Sequence, residues 1–349
     1  MNFEIYLTEQ LKKHPSIKPQ DVIKMCYQGA HGAEHLLSDT DTALEYLQKE
    51  YALVSPAKDE LFEVISDDVC RVNLASWKGN CLPLQWLFRM FAASCKVNEN
   101  AKERFASYLQ EAEKILNSAE VSFTKKEWDG YFEEYKKAGM PAVHHSREYR
   151  EKENPSYRIV NSRFCRAFPI LEGLTAFCER KNPCVIAIDG RAASGKTTLA
   201  RLLQLVLDAD VIHMDDFFLP PSLRSKERFE TAGENIHHER FSEEVLPFIS
   251  KGEAFSYRIF DCSKMDYNGR RNIGKKPFLI VEGSYSCHPK FGSYADLTVF
   301  ADVNAREQTE RIRQRNGEEM LKSFLSRWIP MEEEYFKHYG IKASAHIIV

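Results

Sequence analysis

Residues Cys184–Ala200 read CVIAIDGRAASGKTTLA, and the expected fold of the second half of the chain follows from them. The first seven residues are almost continuously apolar, which is typical of a strand buried on both faces of a sheet. Residues 190–197 match the pattern GxxxxGK[ST], and the KTTLARLLQLVL segment that starts at Lys196 has helical spacing. The sequence therefore predicts a buried strand, a glycine-containing loop and a helix in direct succession.

A loop of this kind is suited to binding phosphate because of its residue types. Glycines let several backbone N–H groups turn towards one point, and the N-terminus of the following helix adds the positive end of its dipole. Lys196 places a positive charge against the β- and γ-phosphates of a nucleotide, and the Thr197 hydroxyl is a ligand for Mg²⁺. The predicted nucleotide-binding residues are Gly190, Arg191, Ala192, Ala193, Ser194, Gly195, Lys196, Thr197 and Thr198.

Carboxylates follow two other apolar runs, at places where a strand is expected to end. HMDDFFLP contains Asp215 and Asp216, and either can accept a proton from an attacking hydroxyl or serve as a turn or cap carboxylate. FLIVEGSY contains Glu282, which can hold Mg²⁺ through a water or cap the strand end. Because the carboxyl ends of parallel strands face the ligand crevice of such sheets, we expect these carboxylates near the phosphate loop.

Two arginines precede a glycine in REQTERIRQRNG. Arg311 and Arg315 are four residues apart and share one helical face, whereas Arg313 points elsewhere. They can swing over a transferring phosphate and offset its charge, or they can form a solvated basic face.

The rest of the second half repeats the alternation of strand and helix. Apolar runs recur at 208–214, 277–283, 295–302 and 344–349, with helical patterns between them. This alternation predicts an α/β domain over residues 181–349, with a parallel sheet flanked by helices. Residues 1–180 have mostly helical periodicity, with room for a strand or two around FEVIS or RVNLASW. We therefore predict a mainly α-helical domain before the α/β domain, and a boundary near 181–183.

Composition excludes several classes of function. Net charge is −3 and neither half of the chain is basic, which argues against nucleic-acid or membrane-surface binding. No apolar run approaches ~20 residues, and the start has no signal-peptide pattern. The nine cysteines include no CxxC pair, which favours reduced thiols and a cytoplasmic protein. A small-molecule substrate is the expected partner, and assembly as a homo-oligomer stays open.

Taken together, the motifs of residues 184–349 resemble the uridine kinase branch of the P-loop small-molecule kinases, which also includes pantothenate kinase and phosphoribulokinase. GRAASGKTTLA resembles the phosphate loop of that family, and MDDFF resembles the segment with the catalytic base, which falls on Asp215. VEG at 281–283 is similar to the strand end with the Mg²⁺-side glutamate. RIRQRN followed by FLSRWIPMEEEYF looks like the lid and its next helix, with Arg315 at the lid arginine.

The resemblance implies an ATP- and Mg²⁺-dependent kinase. The γ-phosphoryl group of ATP would pass to a primary hydroxyl of a small molecule, often the 5′-hydroxyl of a ribose. Asp215 would accept the proton, and Lys196 and Arg315 would act on the phosphates.

The substrate side departs from the family pattern. In GENIHHERF, His237 stands where the nucleoside kinases of this branch have a ribose-binding Asp. In YRIFDCSKMDYNGR, Phe260 and Asp261 align with the family, but Met265 falls on a base-contacting His, and the lid is shortened to NGEE. The candidate substrate-binding residues are Asp216, His237, His238, Arg258 and Asp261.

Residues 1–180 resemble no family that we recognise, and their motifs have simpler alternatives. HGAEH at 31–35 spells the zinc-peptidase pattern HxxEH, but a polar helix start accounts for it as well. The His-, Arg- and Tyr-rich residues 141–160 either approach the kinase crevice or connect the two halves. The alternative to a kinase is a non-enzymatic ATP-responsive regulator whose helical half binds a partner.

Overall fold

The structure is a computed structural model that describes residues 3–33, 39–95, 99–176 and 182–349. Its chain divides into two compact units, Met1–Cys165 and Arg166–Val349. None of the described helices is both long enough and apolar enough to cross a membrane.

The first unit consists of helices and a three-stranded antiparallel sheet of order β1-β2-β3. FEVIS and the start of RVNLASW, which the sequence marks as candidate strands, fall on β1 and β2. The elements in chain order are α1 (Phe3–Lys13), α2 (Pro19–His31), α3 (Thr40–Leu53), β1 (Phe62–Ser66), β2 (Val69–Asn73), α4 (Leu74–Gly79), α5 (Leu84–Ser94), α6 (Ala101–Leu116), α7 (Lys125–Lys137), α8 (Arg147–Glu153) and β3 (Tyr157–Asn161).

Polar side chains fix where several of these helices begin. The Asp39 carboxylate accepts a hydrogen bond from the first turn of α3, and the Asn73 side chain does the same for α4. Thr124 and Glu127 form a reciprocal pair at the start of α7. Each side chain satisfies N–H groups that have no partner inside the helix, so the local sequence sets these boundaries.

Residues 141–160 are built into the first unit. His145 is 5% exposed, and its ring nitrogens lie 3.0 Å from an Asp21 carboxylate oxygen and 2.8 Å from the Tyr157 hydroxyl. The Ser146 hydroxyl donates to the same carboxylate at 2.6 Å, and β3 pairs with β2 along its length. The segment therefore supplies a strand and part of the buried polar network of this unit, which is more than a connector does.

The second unit starts inside a helix, α9 (Arg163–Leu174), that the sequence prediction assigns to the first domain. Side chains of α9 such as Ile170 and Leu171 are buried, and a methyl group added at Gly173 would lie 3.0 Å from Ile347. This packing groups most of α9 with the C-terminal sheet. The boundary between the two units therefore lies 15 residues before the boundary that the sequence predicts.

The remaining elements of the second unit are seven strands and seven α-helices within the described residues. In chain order they are β4 (Cys184–Gly190), α10 (Lys196–Val206), β5 (Ala209–His213), α11 (Lys226–Glu230), α12 (His238–Glu244), α13 (Leu246–Lys251), β6 (Phe255–Asp261), β7 (Asp266–Ile273), β8 (Phe278–Glu282), β9 (Leu297–Ala301), α14 (Ala305–Ser323), α15 (Ile329–Tyr339), α16 (Ile341–Ser344) and β10 (Ile347–Ile348). A π-helical turn, Phe324–Trp328, joins α14 to α15.

Five of these strands form the predicted parallel sheet, in the order β10-β9-β4-β8-β5. Every residue of β4 is buried, as its apolar sequence predicts. The chain moves from β4 to β5 on one side and later to β9 on the other, so the strand order reverses at β4. Ligands of open α/β sheets bind in the crevice at such a reversal, outside the carboxyl ends of the strands.

Strands β6 and β7 form a separate antiparallel hairpin, which the sequence analysis did not predict. Their residues are mostly polar and partly exposed, so they lack the continuous apolar run that marks a buried parallel strand.

Candidate active site

The phosphate loop lies between β4 and α10, at the carboxyl edge of the sheet. Gly195 precedes the helix with φ +92°, a conformation that glycine adopts at little cost, and it has no side chain to cap the helix. The N–H groups of Ala193 and Gly195 donate no hydrogen bond within the described chain. The first N–H groups of α10 also have no partner inside the helix. The loop therefore presents several unpaired donors and a helix dipole at one place, which favours an anion.

The Lys196 side chain folds back and binds the backbone at the start of its own loop. Its Nζ donates to the carbonyl oxygens of Gly190 at 2.7 Å and Arg191 at 2.9 Å. The ammonium group is thus held over the mouth of the loop, where it can exchange a carbonyl partner for a phosphate oxygen.

Carboxylates of α15 hold the other side of the loop. The Glu332 carboxylate accepts from the Ala192 N–H at 2.9 Å and from the Ser284 hydroxyl at 2.7 Å, and burial raises the pKa of Glu332. The Arg191 guanidinium binds Glu333, with Nε at 2.6 Å, and also Asp302. These contacts fix the loop before any ligand arrives, so little ordering is left to a nucleotide.

Asp189, just before the loop, is a buried carboxylate with four donors around it. It accepts from the N–H groups of Gly190, Tyr285 and Cys287 at 2.7–3.2 Å and from the Tyr335 hydroxyl at 2.9 Å. Burial raises the pKa of Asp189 despite these bonds. Its role is to tie β4 to the segment that follows β8.

Glu282 lies at the end of β8, beside Thr197. The Thr197 hydroxyl donates to the Glu282 carboxylate at 3.1 Å, and His213 Nδ1 contacts the same carboxylate. A hydroxyl and a carboxylate are hard oxygen ligands of the kind that Mg²⁺ takes in proteins. The two candidate metal residues are therefore side by side, and a His at the end of β5 that the sequence analysis did not single out orients one of them.

The neighbouring aspartates Asp215 and Asp216 have different surroundings. Asp216 is 8% exposed, and its Oδ2 accepts from the Tyr257 hydroxyl at 2.9 Å and from Arg271 Nε at 3.1 Å. Asp215 is open to solvent, and its carboxylate has no hydrogen-bond partner within the described ranges. The pKa of Asp215 is raised, first because the protein around it removes part of its solvation and second because the Glu282 carboxylate lies nearby.

One cavity of about 510 Å³ brings the main predicted residues together. Lys196, Thr197, Asp215, Glu282 and Arg315 all line it, as do Gly195, Thr198 and Arg311.

Arg311 and Arg315, the two arginines that the sequence analysis singled out, lie on α14. This helix packs on the phosphate loop through Ala192, Ile312 and Leu321, and Gly317 breaks it with φ +79°. Arg315 lies two residues before this break, and its Nε donates to the Asn316 side-chain oxygen at 2.7 Å. A change of conformation at Gly317 can therefore bring the Arg315 cation over the cavity.

The other substrate candidates lie elsewhere in the second unit and do not line this cavity. His237 caps α12 and contacts Glu239 at 3.1 Å, and His238 contacts Glu234 at 2.8 Å. Arg258 pairs with Glu244 at 2.6 Å, and Asp261 accepts from Ser263 in the turn between β6 and β7. Each has a protein partner, and their substrate roles stay predictions.

Comparison with solved structures finds similar chains of about half this length. A Bacillus stearothermophilus protein with the provisional name of uridine kinase is 18% identical, with a TM-score of 0.42, over 53% of this chain and 98% of its own. A Silicibacter protein with the provisional name of fructose transport system kinase is 22% identical, with a TM-score of 0.41, over 50% of this chain and 98% of its own. No protein-family model matches the chain. The function proposed below therefore rests on the geometry of the site.

Proposed function

We propose that the second unit is an ATP-dependent kinase that phosphorylates a hydroxyl group of a small metabolite, with nucleosides as the first class to test. The observation that carries the proposal is the meeting of Asp215 with Lys196, Thr197 and Glu282 in one cavity. A phosphate-binding loop alone serves many proteins, but an unpaired carboxylate facing it supplies the base that transfer to an alcohol uses.

The residues divide the reaction between them. The acceptor oxygen forms a bond to the γ-phosphorus of ATP, the bond from that phosphorus to the β–γ bridging oxygen breaks, and ADP leaves. Asp215 accepts the proton of the acceptor hydroxyl, for which its raised pKa makes it a better base than an ordinary aspartate. Lys196 and Arg315 offset the charge on the phosphates.

Thr197 and Glu282 fit Mg²⁺ by their donor chemistry, since both offer oxygen and they are hydrogen-bonded to each other. When bound, Mg²⁺ neutralises part of the phosphate charge. Glu282 is held in place by His213, so its carboxylate keeps its orientation whether or not the Thr197 hydroxyl turns away.

The test is ADP production by the purified full chain with Mg-ATP and a panel of nucleosides, vitamins and sugars. Stimulation by one class of acceptor supports the kinase and names its substrate. Nucleotide binding without stimulation by any acceptor refutes the kinase proposal and favours the ATP-responsive regulator.

Two substitutions test the roles of the residues. Asp215→Asn should retain ATP binding and reduce the rate by ~10²-fold or more, because the base is lost. Lys196→Ala should impair ATP binding itself. Asp208→Asn, in the exposed residue just before β5, is the matched control and should have the wild-type rate. A rate for Asp215→Asn within twofold of wild type would show that Asp215 is not the base.

A further inference from the structure

Arg166 reaches the phosphate loop from α9, outside the segment whose motifs predict nucleotide binding. Its NH2 group donates to the Ser194 carbonyl at 2.7 Å. A methyl group added at Gly195 would lie 2.9 Å from its NH1 group, so the guanidinium lies directly against the start of α10. Arg166 also lines the same cavity as Lys196 and Asp215.

A second guanidinium lies close to the first. Arg311 NH1 donates to the carbonyl of Ala193, which directly precedes the carbonyl that binds Arg166. Burial lowers the pKa of Arg166, and the positive charge of Arg311 lowers it further, while Glu307 compensates in part. The fold therefore holds two like charges together beside a loop that already contains Lys196.

Arg166 has no carboxylate partner within the described residues, whereas Arg311 pairs with Glu307. The carboxylates of Asp215, Glu282 and Glu332 also line the cavity and offset part of its positive charge. The cationic side chains that line it within the described chain are Arg166, Lys196, Arg311 and Arg315. A link between α9 and the Ser194 carbonyl needs only a neutral donor. A guanidinium adds a charge that the unliganded loop does not need, and it has five N–H donors, of which NH1 and Nε have no partner within the described residues.

We propose that Arg166 binds the phosphate chain of the nucleotide, with NH2 on Ser194 and its remaining donors on phosphate oxygens. Arginine suits this task because its planar group binds phosphate through paired hydrogen bonds. The inference rests on the proposed function and deepens it, since it assigns a nucleotide-binding residue to α9. The ligand class is a nucleoside di- or triphosphate, recognised by its phosphates.

The experiment compares Arg166→Gln and Arg166→Lys with wild type in the full chain. Calorimetry gives the Kd for a non-hydrolysable Mg-ATP analogue and for inorganic tripolyphosphate. We expect Arg166→Gln to weaken both ligands by about tenfold or more, since a hydrogen bond to a charged group is lost. Arg166→Lys should lose less affinity than Arg166→Gln, because it keeps the charge although it lacks the paired hydrogen bonds of arginine. The matched control is Arg201→Gln, which removes an exposed arginine on α10 and should leave Kd unchanged.

Melting without ligand separates binding from folding. Arg166→Gln should melt at the wild-type temperature or above, because one of two repelling charges is gone, and nucleotide should raise its melting temperature less than that of wild type.

Three results would overturn the inference. The first is a wild-type Kd in Arg166→Gln while wild type binds nucleotide, which leaves the proposed function intact. The second is an equal loss in the Gln and Lys variants together with a lower melting temperature without ligand, which shows a structural role. The third is weaker binding of the ATP analogue with unchanged tripolyphosphate binding, which places Arg166 on the nucleoside. A wild-type protein that binds no nucleotide would overturn the proposed function itself.

Discussion

Replacing Gly190 by alanine should damage both the stability of the second unit and its phosphate loop. Gly190 has φ +138°, which L-residues rarely adopt. An added methyl group would lie 2.1 Å from the carbonyl oxygen of Ala301, its partner in the β4–β9 ladder. Both residues are buried and the carbonyl is part of the backbone, so the overlap is relieved only by moving the ends of two strands apart.

The cost can be worked out from two parts. A residue held in a sparsely populated backbone region costs about 1–3 kcal/mol. Moving the strands also breaks the hydrogen bond from the Arg191 N–H to the Ala301 carbonyl, which is 3.2 Å long and contributes about 1 kcal/mol. The sum is about 3 kcal/mol before any remaining steric overlap, which corresponds to roughly 100-fold in an equilibrium constant.

Hydrogen exchange of β4 measures this loss within the second unit, without interference from the first. When reclosing is faster than chemical exchange, amides of β4 should exchange roughly 100-fold faster in Gly190→Ala than in wild type. Affinity for the Mg-ATP analogue should fall as well, because the loop starts at the displaced residue. Gly292→Ala is the control, since its φ is +66° and an added methyl group meets no described heavy atom within 4 Å. It should cost about 1 kcal/mol from strain alone. Equal exchange rates in the two variants would refute the steric argument.

Two further predictions follow from buried groups. Glu332→Ala should weaken nucleotide binding by about tenfold, because the Ala192 N–H loses its acceptor and the loop loses its support on α15; calorimetry checks this, and unchanged affinity would contradict it. The first unit should lose roughly 2 kcal/mol of stability between pH 7 and pH 5. Burial lowers the pKa of His145 from the ordinary 6.5 to about 4 in the folded protein. Between pH 7 and pH 5 the ring therefore stays neutral in the folded protein, whereas it takes up a proton in the unfolded chain. Exchange of α2 amides at the two pH values measures the loss, and His145→Gln should reduce it; an unchanged pH dependence in that variant would exclude His145 as its source.

Part of the site could be predicted because its signals are local. The apolar run of β4, the glycine spacing of the loop and the helical pattern of α10 all lie within 23 residues. Asp215 and Glu282 could be placed as well, since each follows an apolar strand and the carboxyl ends of parallel strands meet at one edge.

The choice between Asp215 and Asp216 depends on the tertiary structure. The two are adjacent in sequence, and only the packing of Tyr257 and Arg271 shows that Asp216 is already paired. The charged side chains marked as substrate candidates look alike in sequence whether they face a ligand or a partner such as Glu244. Their partners lie on other elements, so sequence pattern gives no indication of them.

The sequence by itself determined the five apolar strands of the parallel sheet, the phosphate loop and the acidic strand ends, because backbone periodicity and turn chemistry act between near neighbours. Tertiary structure alone decided that Glu332 supports Ala192 across 140 residues, that Arg166 reaches the Ser194 carbonyl across 28, and that residues 141–160 complete the buried network of the first unit. The physical reason is that burial and hydrogen-bond pairing are set by the packing of whole elements, which no short stretch of residues encodes.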